Sequence, residues 1–365
     1  MKKTISVLLA ITLTICILVS CSPASGSGNS TAASGGQVTV NFLNWGDYID
    51  PTVIPLFEEE NPDVKINMTT APSNEEMYVS ASTEGTQIDV VLPSEYMIQR
   101  MMQENMLAEL DTSSMENYQY VKEFAQANCG YDPNCTYSMP YSWGTFGIIY
   151  NTEIVTEEEI GWDILFDEKY KGQILMYDSI RDSLGVALIE LGYSLNSRDE
   201  AEISAAGSLL VDQKPLVLAY GTDDLRMTMS SSDAAIPNSA AMAVMYAGDA
   251  VYTMQDNDKL EYVIPQEGAN IFVDALCILE TSDVKEEAQR FIDFMMRPDI
   301  AALNAEYTGY STPEDAALEY IDEEILQNYA FNPDKEDLVN CEYYEHLDQE
   351  VLKLYEAAWM QVKMA

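Results

Sequence analysis

Along the chain, short runs of alternating or wholly apolar residues are each followed by a segment with helical spacing. Residues 38–43 and 64–68 alternate apolar and polar side chains, which predicts two strands. The run Asp-Val-Val-Leu-Pro at 89–93 has an apolar centre, as is typical of a strand buried in a parallel sheet. Helical segments follow these strands, beginning at Asp50, spanning 74–82 and beginning at Ser94. This alternation predicts an α/β fold with a parallel sheet, whose ligands bind where the strands end.

The C-terminal part of the chain adds three further segments with helical spacing. Residues 286–297 carry an apolar face, and Pro298 is expected to end that helix. Residues 320–329 and 347–362 are also predicted to be helices. Neither an internal repeat nor a linker follows Gly36, and the roughly 330 residues beyond it suit two lobes rather than one core. We therefore expect two interwoven lobes, with the chain crossing between them several times.

The N-terminal residues have the sequence pattern of an export signal. Lys2 and Lys3 precede an apolar run, Leu-Val-Ser-Cys stands at 18–21, and a Ser/Gly/Ala/Asn-rich stretch follows. This pattern predicts a lipoprotein signal peptide over 1–20, a lipid on the Cys21 thiol and a flexible tether over 21–36. The protein would then be anchored on the outer face of the cytoplasmic membrane or in the periplasm. The alternatives are an ordinary signal peptide with a chance cysteine, or a short uncleaved anchor.

The chain is strongly acidic, with 61 Asp and Glu against 18 Lys and Arg and a formal net charge of −43. Two of the basic residues, Lys2 and Lys3, lie in the predicted leader. Such a field repels nucleic acid and favours cationic ligands that enter a cleft, while solubility accounts for most of these charges. No nucleic-acid partner is therefore expected.

The cysteines and the histidine argue against a metal centre. Beyond Cys21, Cys129 and Cys135 bracket a turn-forming Gly-Tyr-Asp-Pro-Asn, so in an exported protein they form either a local disulfide or two free thiols. Cys277 lies in an apolar run and is expected to be a buried thiol. Zinc-site spacing is absent and His346 is the one histidine, so no metal site is predicted.

Motifs of catalysis and cofactor binding are missing from the sequence. The chain has no Gly-x-Ser-x-Gly elbow, no phosphate loop, no Gly-x-Gly-x-x-Gly and no His-Glu-x-x-His. Acidic pairs occur throughout so acidic a chain, and none stands out as a glycosidase pair. We therefore predict that the protein is not an enzyme and needs no cofactor.

Aromatic residues and carboxylates recur together at predicted strand ends and loops. An ammonium group that leaves water needs carboxylate partners, because an unpaired buried charge is prohibitively costly. Aromatic faces attract cations by up to ~2 kcal/mol and also cover a methylene chain. Such groups suit an aliphatic diamine, and they stand at 44–48, 93–96, 178–182, 246–249 and 272–274.

Seven stretches in the mature chain carry a resemblance to a known family. They are Asn-Trp-Gly-Asp-Tyr-Ile at 44–49, Asp-Val-Val-Leu-Pro-Ser-Glu-Tyr at 89–96, Tyr-Ser-Met-Pro-Tyr-Ser-Trp-Gly at 137–144, Trp-Asp-Ile-Leu-Phe-Asp-Glu-Lys-Tyr-Lys-Gly at 162–172, Leu-Gly-Tyr-Ser at 191–194, Arg-Pro-Asp-Ile-Ala at 297–301 and Gly-Tyr-Ser-Thr-Pro at 309–313. In this order they resemble the spermidine/putrescine substrate-binding proteins of ABC uptake systems, from about Val38 to Lys363. The resemblance implies a monomer that captures a polyamine and delivers it to the permease subunits.

The resemblance further implies an α/β, two-lobed periplasmic-binding-protein-like fold (type II) with the ligand cleft between the lobes. Lobe 1 is expected over 37–145 plus 271–318, and lobe 2 over 146–270 plus 319–365. The crossings between the lobes would act as the hinge.

Site residues follow from the resemblance by position. Trp45 and Tyr48 would wall the site, and Asp47 would lie near a terminal ammonium. Ser94 and Tyr96 would line the same lobe. These five residues form the first half of the expected site.

The second half of the expected site departs more from the family pattern. Asp182 falls where the family has a glutamate, and Asp274 matches its central aspartate. Tyr246 and Phe272 stand where tryptophans are usual, so the aromatic face is kept but is weaker for a cation. Tyr344 stands where spermidine binders have a glutamine.

Two further positions bear on the choice of ligand. Ser179 replaces an acid of the spermidine type, while Asp249 lies in an Ala-Gly-Asp that resembles the putrescine type. Because an unsatisfied third charge in a closed cleft costs several kcal/mol, putrescine is favoured over spermidine, unless Asp223 or Asp224 replaces the lost carboxylate. The alternative is a binding protein of the same fold for another small organic cation or amine.

Overall fold

The computed structural model describes residues 36–222 and 224–365. Met1–Gly36 and Gln37–Ala365 are separate units, and the secondary structure below belongs to the second. The predicted signal peptide, Cys21 and nearly all of the predicted tether lie outside the described residues. Among the residues that are described, no helix is long and apolar enough to cross a membrane.

The described part of the chain contains one sheet of nine strands. They are β1 Val38–Asn44, β2 Val64–Thr70, β3 Val90–Val91, β4 Met139–Asn151, β5 Ile174–Tyr177, β6 Val217–Gly221, β7 Met242–Tyr246, β8 Leu260–Val263 and β9 Ile271–Ile278. Their order in the sheet is β2-β1-β3-β9-β4-β7-β5-β6, and β8 pairs with β4 beside this path.

The described residues also contain twelve α-helices. They are α1 Val53–Glu60, α2 Asn74–Ser82, α3 Glu95–Gln103, α4 Tyr118–Asn128, α5 Ile180–Glu190, α6 Glu200–Gln213, α7 Asp224–Ser230, α8 Ala247–Asp256, α9 Lys285–Met295, α10 Pro298–Thr308, α11 Glu323–Leu326 and α12 Gln349–Met364. Side-chain oxygens cap several of their N-termini, because the first backbone N–H groups of a helix lack partners within it. The capping residues are Ser73, Ser179, Asp199, Asp322 and Asp348.

The sheet is mixed rather than wholly parallel as predicted. β1 runs parallel to β2 and β3, and β5 runs parallel to β6 and β7. The central strand β9 is antiparallel to both β3 and β4. The long β4 pairs with β9 through its first half and with β7 and β8 through its second half. β9 is buried at all eight positions, so its apolar run reflects burial and says nothing about its direction.

Buried apolar side chains fall into three clusters. Two of them draw their buried residues from 40–141 and 273–300. The third draws its buried residues from 146–269 and 301–362. Each cluster therefore combines two distant parts of the chain, as a chain that crosses several times requires.

Several local predictions are confirmed and others are wrong. The strands at 38–43 and 64–68 and the helices at 74–82, 286–297 and 347–362 occur within a few residues of their predicted bounds. Residues 320–329 were expected to be one helix, but a 3-10 helix ends at Tyr320 and α11 has four residues. The Asp322 side chain caps α11, and this cap starts a new short element inside the predicted helix.

Two predicted boundaries also shift. Asp50 does not cap α1; its carboxylate accepts a hydrogen bond from the Thr52 N–H at 2.8 Å, and Thr52 stands immediately before the helix. Pro298 follows α9 and is itself the first residue of α10, where its missing N–H costs nothing. Of the two alternatives for Cys129 and Cys135, the structure has free buried thiols and no disulfide.

Candidate ligand-binding site

Asp274 lies in the middle of the buried central strand β9. It is 5% exposed, and its Oδ2 accepts a hydrogen bond from the Tyr48 hydroxyl at 2.7 Å. The Tyr48 hydroxyl also lies 3.1 Å from Ser142 Oγ on β4. Asp274 Oδ1 is buried and has no hydrogen-bond partner within the described residues. Burial raises the pKa of Asp274 to about 6, against the opposing effect of the nearby Ser94 and Tyr48 hydroxyls.

A second buried carboxylate, Asp182, stands in the first turn of α5. It is 6% exposed, and its Oδ1 accepts hydrogen bonds from the Tyr246 hydroxyl at 2.9 Å and the Tyr344 hydroxyl at 3.1 Å. The Ser179 side chain accepts from the Asp182 N–H and so serves as the helix cap. Burial raises the pKa of Asp182, and the hydroxyls of Ser179, Tyr246 and Tyr344 oppose that rise.

A row of touching aromatic rings joins the two carboxylates. Tyr48 donates to Asp274, and its ring centroid lies 5.6 Å from that of Tyr310. Tyr310 and Phe272 are 5.6 Å apart, and Phe272 and Tyr246 are 5.4 Å apart. Tyr246 in turn donates to Asp182. The structure thus brings two buried acids and four aromatic rings into one continuous set, which we call the aromatic row.

Tyr344 is held in place by a third buried carboxylate, Glu95. Glu95 Oε1 accepts from the Tyr344 N–H and Oε2 accepts from the Val273 N–H, both at 3.1 Å. Glu95 is 0% exposed, and burial raises its pKa to about 8 despite these two backbone hydrogen bonds. The Arg181 guanidinium stacks over the Tyr344 ring, 4.4 Å from its centroid. Glu95 thereby fixes the segment that supplies one of the partners of Asp182.

The remaining predicted residues lie around the aromatic row or apart from it. Trp45 is half-buried and its indole N–H donates to the Leu92 carbonyl at 2.7 Å. Ser94 Oγ accepts from the Asn74 side chain at 3.0 Å, and Ser94 forms a β-bridge with Asp274. The Tyr96 hydroxyl donates to Glu75 at 3.1 Å, while the Tyr96 ring packs edge-on against Tyr344 at 6.3 Å.

Two predicted acids stand outside the hydrogen-bond network of Asp182 and Asp274. Asp47 is exposed on the turn after β1, with a φ of 49°, and its carboxylate makes no hydrogen bond or ion pair within the described residues. Asp249, in the first turn of α8, lies 3.5 Å from the Arg226 guanidinium.

Tyr310 and Glu95 are the functional residues that sequence reasoning missed. Tyr310 follows Gly309, which ends α10 in the left-handed conformation with a φ of 73°. A Cβ atom added to Gly248 would lie 2.6 Å from the Tyr310 ring, so glycine is needed there for the ring to pack. For Tyr310 the available signal was its place in the Gly-Tyr-Ser-Thr-Pro motif at 309–313, whereas one glutamate among so many acids gave none.

Of two cavities in the described residues, one adjoins the aromatic row and the other lies away from it. A small cavity of about 10 Å³ adjoins the aromatic row, with Tyr141, Ser142 and Tyr310 in its wall. A cavity of about 310 Å³ lies on the surface between α1 and α10, against Leu56, Arg297 and Tyr320. Its one basic residue, Arg297, is already ion-paired with both Glu60 and Asp299, so we place no ligand site there. No group of His, Cys, Asp and Glu in the described residues has the arrangement of a metal site.

Comparison with known proteins decides the family. Residues 53–333 match the family described as "Bacterial extracellular solute-binding protein". The chain belongs to this family. This solute-binding protein is 31% identical over 338 residues to the spermidine/putrescine-binding periplasmic protein of Escherichia coli, with 92% of this chain and 94% of that protein covered.

Two solved structures are similar to this solute-binding protein throughout. A putative spermidine/putrescine ABC transporter from Listeria monocytogenes has a TM-score of 0.81 at 38% identity, covering 89% of this chain and 99% of that one. The spermidine/putrescine ABC transporter substrate-binding protein of Streptococcus pneumoniae has a TM-score of 0.78 at 36% identity, covering 90% and 99%. These likenesses confirm the predicted family and fold class, and membership of a solute-binding family confirms that the chain is not an enzyme.

Proposed function

We propose that this solute-binding protein captures a polyamine outside the cytoplasm and delivers it to an ABC permease. The observation that carries the proposal is the pair of buried carboxylates, Asp182 and Asp274, joined by the aromatic row. Two separated acids suit two ammonium groups, and aromatic rings between them suit the methylene chain and add cation–π attraction. The unpartnered Oδ1 of Asp274 is available to accept a hydrogen bond from a ligand ammonium.

Within this class we propose putrescine over spermidine. The two buried acids match the two charges of a diamine. At the position where the spermidine type has another acid, this chain has Ser179, whose hydroxyl is engaged as a helix cap. The names of the relatives include both amines and leave the preference open. Another small organic cation or amine is the alternative ligand.

The proposal is tested by the melting temperature of the protein with candidate ligands. A ligand at 100 times its dissociation constant stabilises the folded state by about 2.7 kcal/mol. Putrescine is therefore expected to raise the melting temperature by several degrees, and spermidine by less at the same concentration. Sugars, sulfate and neutral amino acids are the controls and should leave it unchanged. A protein that responds to none of the amines does not have the proposed function.

We further propose that the ligand is enclosed between two lobes, 37–145 plus 271–318 and 146–270 plus 319–365. The separate buried clusters support this division, except that four residues of 301–318 belong to the cluster of the second lobe, namely Ala301, Ala302, Ala305 and Ala317. The ligand-saturated sample of the melting experiment also tests this proposal, because closure around a ligand should lower the radius of gyration measured by small-angle scattering. Equal radii with and without a tightly bound amine would contradict closure.

The lipid anchor on Cys21, supported by the sequence pattern, and the monomeric state, implied by the family resemblance, are also proposals. Cys21→Ala is expected to abolish lipid attachment and to leave an unprocessed precursor or a released protein. Fractionation of cells with detection of the signal peptide measures both outcomes. The mutant should still bind the amine, because the tether separates the anchor from the body. Normal cleavage and full membrane retention of Cys21→Ala would refute lipidation.

A further inference from the structure

An ion pair lies beside the aromatic row and takes no part in the function proposed so far. Arg226 Nη1 on α7 is 3.5 Å from Asp249 Oδ1 on α8, and the two side chains are 39% and 22% exposed. The Arg226 guanidinium also lies over the Tyr252 ring, 5.3 Å from its centroid. The Tyr252 hydroxyl donates to the Glu306 carbonyl at 2.7 Å, which ties this ring to the end of α10. Arg226 therefore has both a carboxylate and an anchored aromatic face as partners.

Asp249 is close enough to the site to act on a ligand. The residue before it, Gly248, packs directly against Tyr310, because a Cβ there would lie 2.6 Å from the ring. Tyr310 touches both Phe272 and Tyr48 in the aromatic row. Burial is the main cause that raises the pKa of the Tyr310 hydroxyl, and the Asp249 carboxylate raises it further. The charge of Asp249 therefore acts on Tyr310, a member of the aromatic row.

We propose that Arg226 is a specificity-determining residue whose guanidinium occupies Asp249 and so favours ligands with two positive charges over ligands with three. This inference rests on the proposed polyamine function and deepens it. A third ammonium that reaches Asp249 must displace a cation already bound there, whereas a diamine that uses Asp182 and Asp274 leaves the pair intact. The pair is partly exposed, so the guanidinium is a competitor for Asp249 and not a permanent block.

The test is the ratio of spermidine to putrescine affinity, measured by calorimetric titration on four variants. Arg226→Gln removes the guanidinium from Asp249 and is expected to raise this ratio by roughly two- to fivefold, the range of a partly exposed charge pair. Arg226→Lys keeps the positive charge and should restore the wild-type ratio. In the double variant Arg226→Gln with Asp249→Asn, the negative charge of residue 249 is removed as well and the gain should disappear.

The matched control is Arg198→Gln, which removes the same charge from another exposed ion pair, 3.0 Å from Glu345. It should leave the ratio unchanged. The inference is overturned if Arg226→Gln leaves the ratio unchanged, if it strengthens both amines equally, or if Arg198→Gln has the same effect. In those cases the wild type still binds putrescine and the proposed function stands. A wild type that binds neither amine instead removes the proposed function itself.

Discussion

Replacing Asp274 by asparagine is expected to weaken putrescine binding by about 2–5 kcal/mol, the loss typical of removing one partner of a buried charge pair. Asp274 is 5% exposed and its Oδ1 has no partner among the described residues, so a ligand ammonium is the cation that its charge would meet. Asparagine keeps the shape and can still accept the Tyr48 hydroxyl. Calorimetric titration of putrescine into wild type and Asp274→Asn measures the difference.

The same variant should not lose stability without ligand. Burial raises the pKa of Asp274 to about 6, which means that the ionised form is unfavourable in the empty site. The melting temperature of ligand-free Asp274→Asn is therefore expected to equal or exceed that of the wild type. Asp315→Asn, at an exposed position, is the control and should bind putrescine normally. Full affinity in Asp274→Asn would show that the ligand lies elsewhere.

Glu314 is expected to make the protein less stable as the pH rises from about 6 to about 9. Its side chain is 0% exposed and neither carboxyl oxygen has a partner in the described residues. Burial, with a further contribution from Asp299, raises its pKa to about 9. The ordinary pKa of a glutamate in an unfolded chain is about 4.3.

The direction of this stability change follows from the number of protons that the folded and the unfolded chain bind. Between the unfolded and folded pKa values, the folded protein holds a proton on Glu314 that the unfolded chain has lost. The contribution of this proton to the free energy of unfolding is fully present below the pKa of Glu314 in the unfolded chain. It is lost as the pH rises toward the pKa of Glu314 in the folded protein. Over the window from pH 6 to pH 9 one such group changes the free energy of unfolding by about 2–4 kcal/mol.

Urea unfolding of wild type and Glu314→Gln at several pH values measures this effect. Glutamine cannot ionise, so the variant should lose much less stability between pH 6 and pH 9 than the wild type does. The exposed Glu319→Gln is the matched control and should follow the wild type. Burial raises the pKa of Glu95 to about 8, so Glu95 also lowers the free energy of unfolding as the pH rises. This contribution is present in both the wild type and Glu314→Gln. Parallel pH profiles for wild type and Glu314→Gln would contradict the prediction.

Periodicity predicted local elements well where one face of each element is buried. β1, β2 and α2 lie at or near their predicted bounds, since apolar positions must repeat at the period of the element that buries them. Prediction failed over 320–329, where the spacing is helical but the Asp322 cap starts a separate short helix. A local hydrogen bond there competes with the hydrophobic pattern, and the pattern contains no information about it.

The candidate site was predicted as a set of residues but not as an arrangement. Asp182, Asp274, Tyr246, Phe272 and Tyr344 were each identified by their position relative to the family pattern. Their hydrogen bonds and ring contacts join β7, β9, α5 and the segment before α12. These contacts join residues that are 26 to 162 positions apart, and they depend on how the strands are ordered in the sheet. Position along the chain therefore identified candidates without showing which of them are in contact.

The sequence by itself determined the alternation of strands and helices, the acidic charge, the family resemblance and most acids and rings of the site. Those features depend on residue type and on local spacing, which are readable along the chain. The tertiary structure alone decided that β9 runs antiparallel between β3 and β4, that Tyr310 completes the aromatic row and that Arg226 pairs with Asp249. Each of these depends on strand order and helix packing, because only the closed core brings residues distant in sequence within contact distance.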